Sequence, residues 1–186
     1  SMLQLATSQE FAGENEEAIK WYEQIVKEYP QIEMAEKATG ATRRLQSIGK
    51  PFDLRGQGLD GRPIDTSSLR GNLVLIHYWA TWCEPCKQDM KQLKQLLSQY
   101  GRQEFAVVGV NLDNDPKAAL THLRAERISW PQLHDSGGLD SSLAKQMGIF
   151  ALPVMLLVDT DGTVANRAIT IEELGAELKK RSTSSR

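Results

Sequence analysis

Residues 73–86 read LVLIHYWATWCEPC, an apolar run that ends in two cysteines separated by two residues. The run from residue 73 to residue 80 predicts a buried strand. From Glu84 onward, apolar residues recur at helical spacing, so the two cysteines lie at a strand-to-helix junction. Cys83 and Cys86 are the only cysteines among the 186 residues, and the other predicted elements lie on either side of them.

The position of the two cysteines favours thiol chemistry. A thiol reacts as its thiolate, and the unpaired backbone N–H groups and the dipole at a helix N-terminus stabilise that negative charge. Cys83 is predicted at the exposed start of the helix and Cys86 one turn inside it. Cys83 is therefore expected to attack a disulfide of a partner, and Cys86 to resolve the mixed disulfide.

Three other interpretations of the cysteine pair are open. A structural zinc site would need further ligands from His77, His122 or His134, whose spacings match no common zinc module. We therefore predict no metal. A structural disulfide that closes so short a loop would stabilise the fold by only about 2 kcal/mol on the chain-entropy model. The third interpretation is chance spacing of two buried thiols.

The segment VLIHYWATWCEPCKQDM, residues 74–90, resembles the active-site strand and helix of the thioredoxin superfamily, in particular its TlpA/ResA-type thiol-disulfide oxidoreductases. The WCxPC core is far more specific than CxxC alone, and the resemblance runs from about residue 51 to about residue 180. It implies an α/β, thioredoxin-like fold with a central mixed sheet flanked by helices, preceded by a small all-helical segment. The expected divisions are a helical segment over 1–50, the thioredoxin-like domain over 51–181 and a disordered tail over 182–186.

Composition predicts a folded, soluble protein. Hydrophobic residues make up 40% of the chain, and 22 basic residues nearly balance 24 acidic ones. A balanced charge argues against a nucleic-acid partner or an anionic membrane surface. The sequence has no apolar run of transmembrane length and no signal peptide, but Ser1-Met2 has the form of a cloning remnant, so the natural N-terminus is expected to be missing.

Three helices are predicted before residue 51. Apolar residues from Ala18 to Tyr29 recur at helical spacing up to Pro30; a second helix follows until Gly49, and a less regular one is expected over residues 2–12. The phrase GENEEAIKWYEQIVKEYP, residues 13–30, resembles the turn and second helix of one tetratricopeptide repeat, whereas such arrays usually need three repeats. The segment is either the end of a truncated array, with a protein partner as one hypothesis, or a helical hairpin packed on the next domain.

Alternating strands and helices are predicted after residue 51. Residues 59–62 indicate a turn between two short strands, and residues 67–71 a short helical turn. Further strands are expected over 105–112, 154–158 and 163–167, with helices from Asp115-Pro116 to about residue 126 and over 139–147. Thr170 and Glu173 have capping-box spacing for the last helix.

Four residues near the cysteines are expected to tune their reactivity. His77 occupies the position at which the resemblance implies a buried acid, and an imidazole there could take up a proton; a core histidine with no such role is the alternative. Asp89 lies where ResA-type proteins carry a glutamate, and a carboxylate near the thiols would tend to raise their pKa. Glu84, between the cysteines, is also expected to oppose thiolate formation. Pro85, the other residue between the cysteines, is the fourth residue expected to tune their reactivity.

Three further residues are expected to meet a substrate. Trp82 precedes the first cysteine and is expected at the contact surface, whereas Trp79 on the strand is expected in the core. Pro153 matches the proline that thioredoxin-like proteins hold in cis beside the CxxC. A cis bond there would turn the Leu152 backbone toward the dithiol, where it could pair with an extended partner segment.

These expectations favour a thiol-disulfide oxidoreductase that acts on protein cysteines, more as a reductant than as an oxidant, with the dithiol as its only redox group. The resemblance implies a protein disulfide or dithiol as substrate, a membrane or soluble electron donor, and a bacterial envelope location such as the periplasm. A peroxiredoxin is one alternative, although Ala80 and Ile76 stand where it would need Thr and Pro. The other is a scaffold whose helical segment binds a partner and whose dithiol is incidental.

Overall fold

The computed structural model describes residues 1–184. The helices are α1 Met2–Phe11, α2 Asn15–Glu28, α3 Glu33–Leu45, α4 Glu84–Tyr100, α5 Pro116–Ala125, α6 Ser142–Gln146 and α7 Ile171–Ser184. The strands are β1 Arg55–Gln57, β2 Pro63–Asp65, β3 Leu73–Trp79, β4 Phe105–Asn111, β5 Gln132–His134, β6 Val154–Val158 and β7 Val164–Asn166. Short 3-10 turns cover Thr66–Leu69 and Gly138–Asp140.

Five strands form a mixed sheet in the order β5-β4-β3-β6-β7. Strand β3 lies at its centre, parallel to β4 and antiparallel to β6, while β5 is parallel to β4 and β7 is antiparallel to β6. Strands β1 and β2 form a separate hairpin. The expected α/β fold with a central mixed sheet is therefore confirmed.

The sheet has a hydrophobic core on each face because side chains of β3 alternate between its two sides. Leu73, Leu75 and Trp79 belong to the core that α4, α5 and α7 cover, and both cysteines lie in that core. Val74, Ile76 and Tyr78 belong to the opposite core, which α6 covers. The apolar run of β3 is thus buried on both sides, as a central strand requires.

Helices α1, α2 and α3 form a third core of their own, the helical segment. This segment also packs on the domain, since α3 lies against α6. A Cβ atom at Gly40 of α3 would lie 2.6 Å from the backbone nitrogen of Gly148, so only glycine permits this approach. The chain then joins the sheet by bridges from Ile48 and Pro51 to the strand β7 region. The division at residue 50 stays a prediction.

Several boundaries differ from the sequence-based expectations. The chain remains helical through Ser184, so residues 182–184 belong to α7 and not to the tail expected over 182–186; residues 185–186 lie outside the described residues. Arg181 of α7 pairs with Glu177 of the same helix and with Asp159, which follows β6. The helix expected over 139–147 is broken, because Ser141 is extended and caps α6 through the N–H of Ala144. Strand β5 was not predicted.

No helix within residues 1–184 is long and apolar enough to cross a membrane.

Candidate active site

The two cysteines form a disulfide at the start of α4. Cys83 is the N-cap residue, and its Sγ accepts a hydrogen bond of 3.2 Å from the backbone N–H of Cys86. Pro85 fits the first turn, where a missing N–H costs nothing. Cys83 is 5% exposed and Cys86 is fully buried. Cys83 is therefore the more accessible of the two cysteines, although it is far less exposed than the sequence predicted.

The loop before the cysteines is fixed by a buried aspartate that the sequence reasoning missed. The carboxylate of Asp113 accepts hydrogen bonds from the backbone N–H of Thr81, at 3.0 Å, and from its hydroxyl, at 2.6 Å. Asn111 donates a further bond of 2.7 Å to the same carboxylate. Asp113 comes directly after β4, and the dithiol comes directly after β3. Because parallel strands end at the same edge of the sheet, the position of Asp113 after β4 could have predicted that it lies near the dithiol.

The two tryptophans near the site have different surroundings. Trp79 is fully buried, and its indole N–H donates a hydrogen bond of 2.8 Å to the side-chain carbonyl of Gln132. Trp82 is 57% exposed and precedes Cys83 in the chain. An exposed indole beside a reactive pair supplies apolar contact area for another molecule. Both positions agree with the expectations for core and surface.

The Leu152–Pro153 peptide bond is cis, as expected. Leu152 packs against the hydrophobic core that contains both cysteines, while Pro153 is exposed. Leu152 also packs against the core on the opposite face, so the loop before β6 lies at an edge of the sheet where it contacts both cores. The backbone N–H groups of residues 150–152 make no hydrogen bond within the described part of the chain.

His77 lies on β3 and is completely buried. Side chains along a strand alternate between the two faces of the sheet, so His77 lies on the same face as Leu75 and Trp79, which is the face that carries the cysteines. Neither ring nitrogen has a hydrogen-bond partner among the described residues, and burial lowers the pKa of the imidazole to about 3. His77 is therefore uncharged near neutral pH in the disulfide form, and its tuning of the dithiol stays a prediction.

The two acidic residues on α4 differ in environment. Asp89 lies one turn beyond Cys86 and is half-buried; its pKa is raised, first by burial and then by the nearby charge of Glu172. Glu84 is exposed and forms an ion pair of 2.9 Å with Lys87, whose hydrogen bond lowers its pKa. An exposed and neutralised carboxylate acts weakly on its surroundings, so Asp89 is the stronger candidate for tuning the thiols.

Within residues 1–184, no group of three or more His, Cys, Asp or Glu side chains is arranged to hold a metal ion. The site combines a disulfide-bonded cysteine pair, an exposed tryptophan and a loop with free backbone donors. These features define a member of the thioredoxin superfamily with a CxxC centre.

Comparison with known proteins assigns the family. Residues 48–167 match the model of the AhpC/TSA family, so the chain belongs to that family. It is 28% identical over 125 residues to the thiol-disulfide oxidoreductase ResA of Bacillus thuringiensis, covering 66% of this chain and 70% of ResA. It is 27% identical to the thiol:disulfide interchange protein DsbE of Pseudomonas aeruginosa, covering 67% of each chain.

A solved structure agrees with these relatives. The thiol-disulfide oxidoreductase of Bacteroides fragilis is 32% identical and superposes with a TM-score of 0.63, over 70% of this chain and 97% of that chain. The resemblance to ResA-type proteins is therefore confirmed, and so is the predicted class of activity, thiol-disulfide oxidoreductase. The peroxiredoxin alternative is not favoured by these relatives.

Proposed function

We propose that this chain reduces disulfides of protein substrates through Cys83 and Cys86. The observation that carries the proposal is the disulfide at the first turn of α4, on the same core as the cis Leu152–Pro153 bond. The disulfide is one end state of the reaction, and the dithiol is the other. No cofactor besides this pair is needed, because it carries both electrons.

In the reduced protein, the Cys83 thiolate attacks one sulfur of the substrate disulfide. The S–S bond of the substrate breaks, its other sulfur leaves as a thiolate and takes up a proton, and a mixed disulfide joins Cys83 to the substrate. Cys86, one turn inside the helix, then attacks Cys83 Sγ. The substrate leaves with both sulfurs reduced, and the protein retains the Cys83–Cys86 disulfide.

The surrounding residues have supporting roles in this proposal. Trp82, Leu152 and Pro153 form the surface that contacts the substrate segment, because the exposed Trp82 precedes Cys83, and the partly buried Leu152 and the exposed Pro153 belong to the cis-proline loop. Asp89 tunes the thiols through its charge, and His77 through the uncharged imidazole on the same face of the sheet.

A catalytic cycle requires a partner that supplies electrons. A donor dithiol, membrane-bound or soluble, must reduce the Cys83–Cys86 disulfide after each turnover. By analogy with the ResA and DsbE relatives, we place this cycle outside the cytoplasm, in a bacterial envelope such as the periplasm. The tetratricopeptide-like segment over residues 1–50 is proposed to contact a protein rather than a nucleic acid.

Insulin reduction tests the proposal. With dithiothreitol as the donor, the wild-type protein should accelerate precipitation of the insulin B chain, and Cys83→Ser should abolish that acceleration. The reduction potential of the pair should lie nearer about −270 mV than about −120 mV, since the lower value marks a reductant. A wild-type protein without effect on insulin would refute the proposal.

The alternatives predict other outcomes. A peroxidase would consume hydrogen peroxide far faster than free thiols do. An incidental dithiol would leave partner binding and biological activity intact in the Cys83→Ser, Cys86→Ser double variant. Either result would replace the proposed function.

A further inference from the structure

A groove of about 580 Å³ lies between the helical segment and the thioredoxin-like domain. Phe11 at the end of α1 lines one side. Phe150 and Pro153, before β6, line another side, and Asp89 and Glu172 come from α4 and α7. The groove therefore extends from the helical segment to the cis-proline loop and to the helix that carries the dithiol.

The helical segment holds the loop that forms this groove. The ring of Phe150 stacks on Tyr22 of α2, with centroids 5.8 Å apart and planes inclined by 2°. The buried guanidinium of Arg44 on α3 donates hydrogen bonds to the backbone carbonyls of Met147, at 2.9 Å, and Gly148, at 3.3 Å. These contacts fix residues 147–150, which lead directly to Pro153.

Three acidic side chains and one basic side chain line the groove, and Arg167 lies near enough to Glu10 and Arg44 to interact with both electrostatically. Glu10 is neutralised there by Arg44, at 2.6 Å. Asp89 and Glu172 also line the groove, and neither forms an ion pair with any residue in the described part of the chain. Burial raises the pKa of Asp89, and repulsion by Glu172 raises it further. A cation between the two carboxylates would relieve that repulsion.

Apolar surface and free backbone donors complete the groove. Phe11 is 96% exposed although it is a large aromatic side chain. The free N–H groups of residues 150–152 offer hydrogen bonds to an extended chain, in the manner of strand addition. Acidic, apolar and backbone groups together match an extended peptide that carries one basic and one apolar side chain.

We propose that this groove binds the substrate segment next to the attacked cysteine, with a Lys or Arg side chain between Asp89 and Glu172 and an apolar side chain on Phe11. The inference rests on the proposed function and adds a substrate preference to it. The helical segment then selects substrates, both as a wall of the groove and as the support of the cis-proline loop.

The test uses disulfide-bonded peptides that differ by one residue. A lysine is placed at successive positions on either side of the attacked cysteine, beside an apolar residue, and a matched set carries glutamate. With dithiothreitol as donor, kcat/KM at one position should favour lysine over glutamate by about fivefold, the effect of roughly 1 kcal/mol from a partly buried ion pair. Raising the salt concentration should reduce the ratio.

Substitutions in the groove test whether the groove causes the preference for lysine over glutamate. Glu172→Gln should lower the lysine-to-glutamate ratio, and Phe11→Ala should lower kcat/KM for all peptides with an apolar residue. The matched controls are Glu23→Gln, an exposed acid on α2, and Leu5→Ala, a 43% exposed apolar residue on α1 outside the groove. Both controls should behave as wild type. Circular dichroism verifies that each variant is folded.

The outcomes separate the two proposals. A wild-type protein that reduces no peptide disulfide refutes the proposed function. Equal rates for lysine and glutamate peptides at every position, beside normal peptide reduction, overturn only the groove inference. A concentration-dependent dimer that Phe11→Ala abolishes would also overturn it, because a second copy would then be the occupant.

Discussion

Phe150, three residues before the cis proline, lies parallel to Tyr22 of the helical segment, with ring centroids 5.8 Å apart. Tyr22 is fully buried, and its hydroxyl donates a hydrogen bond of 2.8 Å to Glu10. The loop beside the dithiol is thus supported by residues that are far away in the sequence.

Replacing Tyr22 by Ala should lower the free energy of unfolding by about 3–5 kcal/mol, because it leaves a cavity and removes a buried hydrogen bond. Tyr29, at the end of the same helix, is half-exposed, so Tyr29→Ala should cost less than about 1 kcal/mol. Urea unfolding measures both changes. Similar losses in the two variants would show that the Tyr22 contact does not support the fold.

Gly40→Ala should be strongly destabilising. The added Cβ would overlap the backbone around Lys145 and Gly148, which cannot move without shifting α3 from α6. Gly175 on α7 is the matched control, since the nearest atom to its Cβ would be Leu96 Cδ2 at 4.0 Å. Gly175→Ala should stabilise by up to about 1 kcal/mol through helix propensity. Thermal unfolding of both variants tests the contact, and a neutral Gly40→Ala would contradict it.

Stability should depend on pH through His77. Its pKa is about 3 in the folded chain and 6.5 in the unfolded chain, so between these values only the unfolded chain binds the proton. The free energy of unfolding is therefore highest above about pH 6.5, and below that pH it decreases by about 1.4 kcal/mol per pH unit because of His77.

His77→Leu tests this sign. Its free energy of unfolding, measured by urea between pH 7.5 and pH 4.5, should fall less steeply than that of the wild type. The variant should also be at least as stable at pH 7.5, because two buried nitrogens without partners are removed. Identical slopes in the two proteins would show that His77 is not buried in its neutral form.

Asp89→Asn should lower the pKa of the attacking thiol, since a half-buried negative charge is removed one turn from Cys86. The measurement is the pH dependence of Cys83 alkylation in the reduced protein, with Cys86 expected to react more slowly. Glu84→Gln is the control, because that carboxylate is exposed and paired with Lys87. A larger shift in the control than in Asp89→Asn would reverse the assignment of the tuning residue.

Local patterns were sufficient for the centre of the fold. Three features can each be recognised from a short stretch of sequence, and all three were predicted: the apolar run of β3, the helical spacing of α4 and the proline before β6. Strand β5 has only three residues, one of them the apolar core residue Leu133, so no periodicity marks it. Its place in the sheet is set by pairing with β4.

The parts of the site that the sequence did not predict depend on long-range contacts. The sequence around Asp113, Arg44 or Phe150 contains no motif that marks the residue as part of the site. Asp113 becomes significant because β4 lies beside β3, and Arg44 because α3 packs on the loop before β6. Only the assembled fold brings these residues next to the dithiol or to its loop.

The central claim is that Cys83 attacks a protein disulfide and Cys86 resolves the product. Its most direct measurement is mass spectrometry of the reduced single-cysteine variants after mixing with insulin. Cys86→Ser should accumulate a covalent complex with insulin, joined through Cys83, because the resolving thiol is missing. Cys83→Ser should form little or none, because Cys86 is fully buried. Equal trapping by both variants, or trapping through Cys86 alone, would contradict the account.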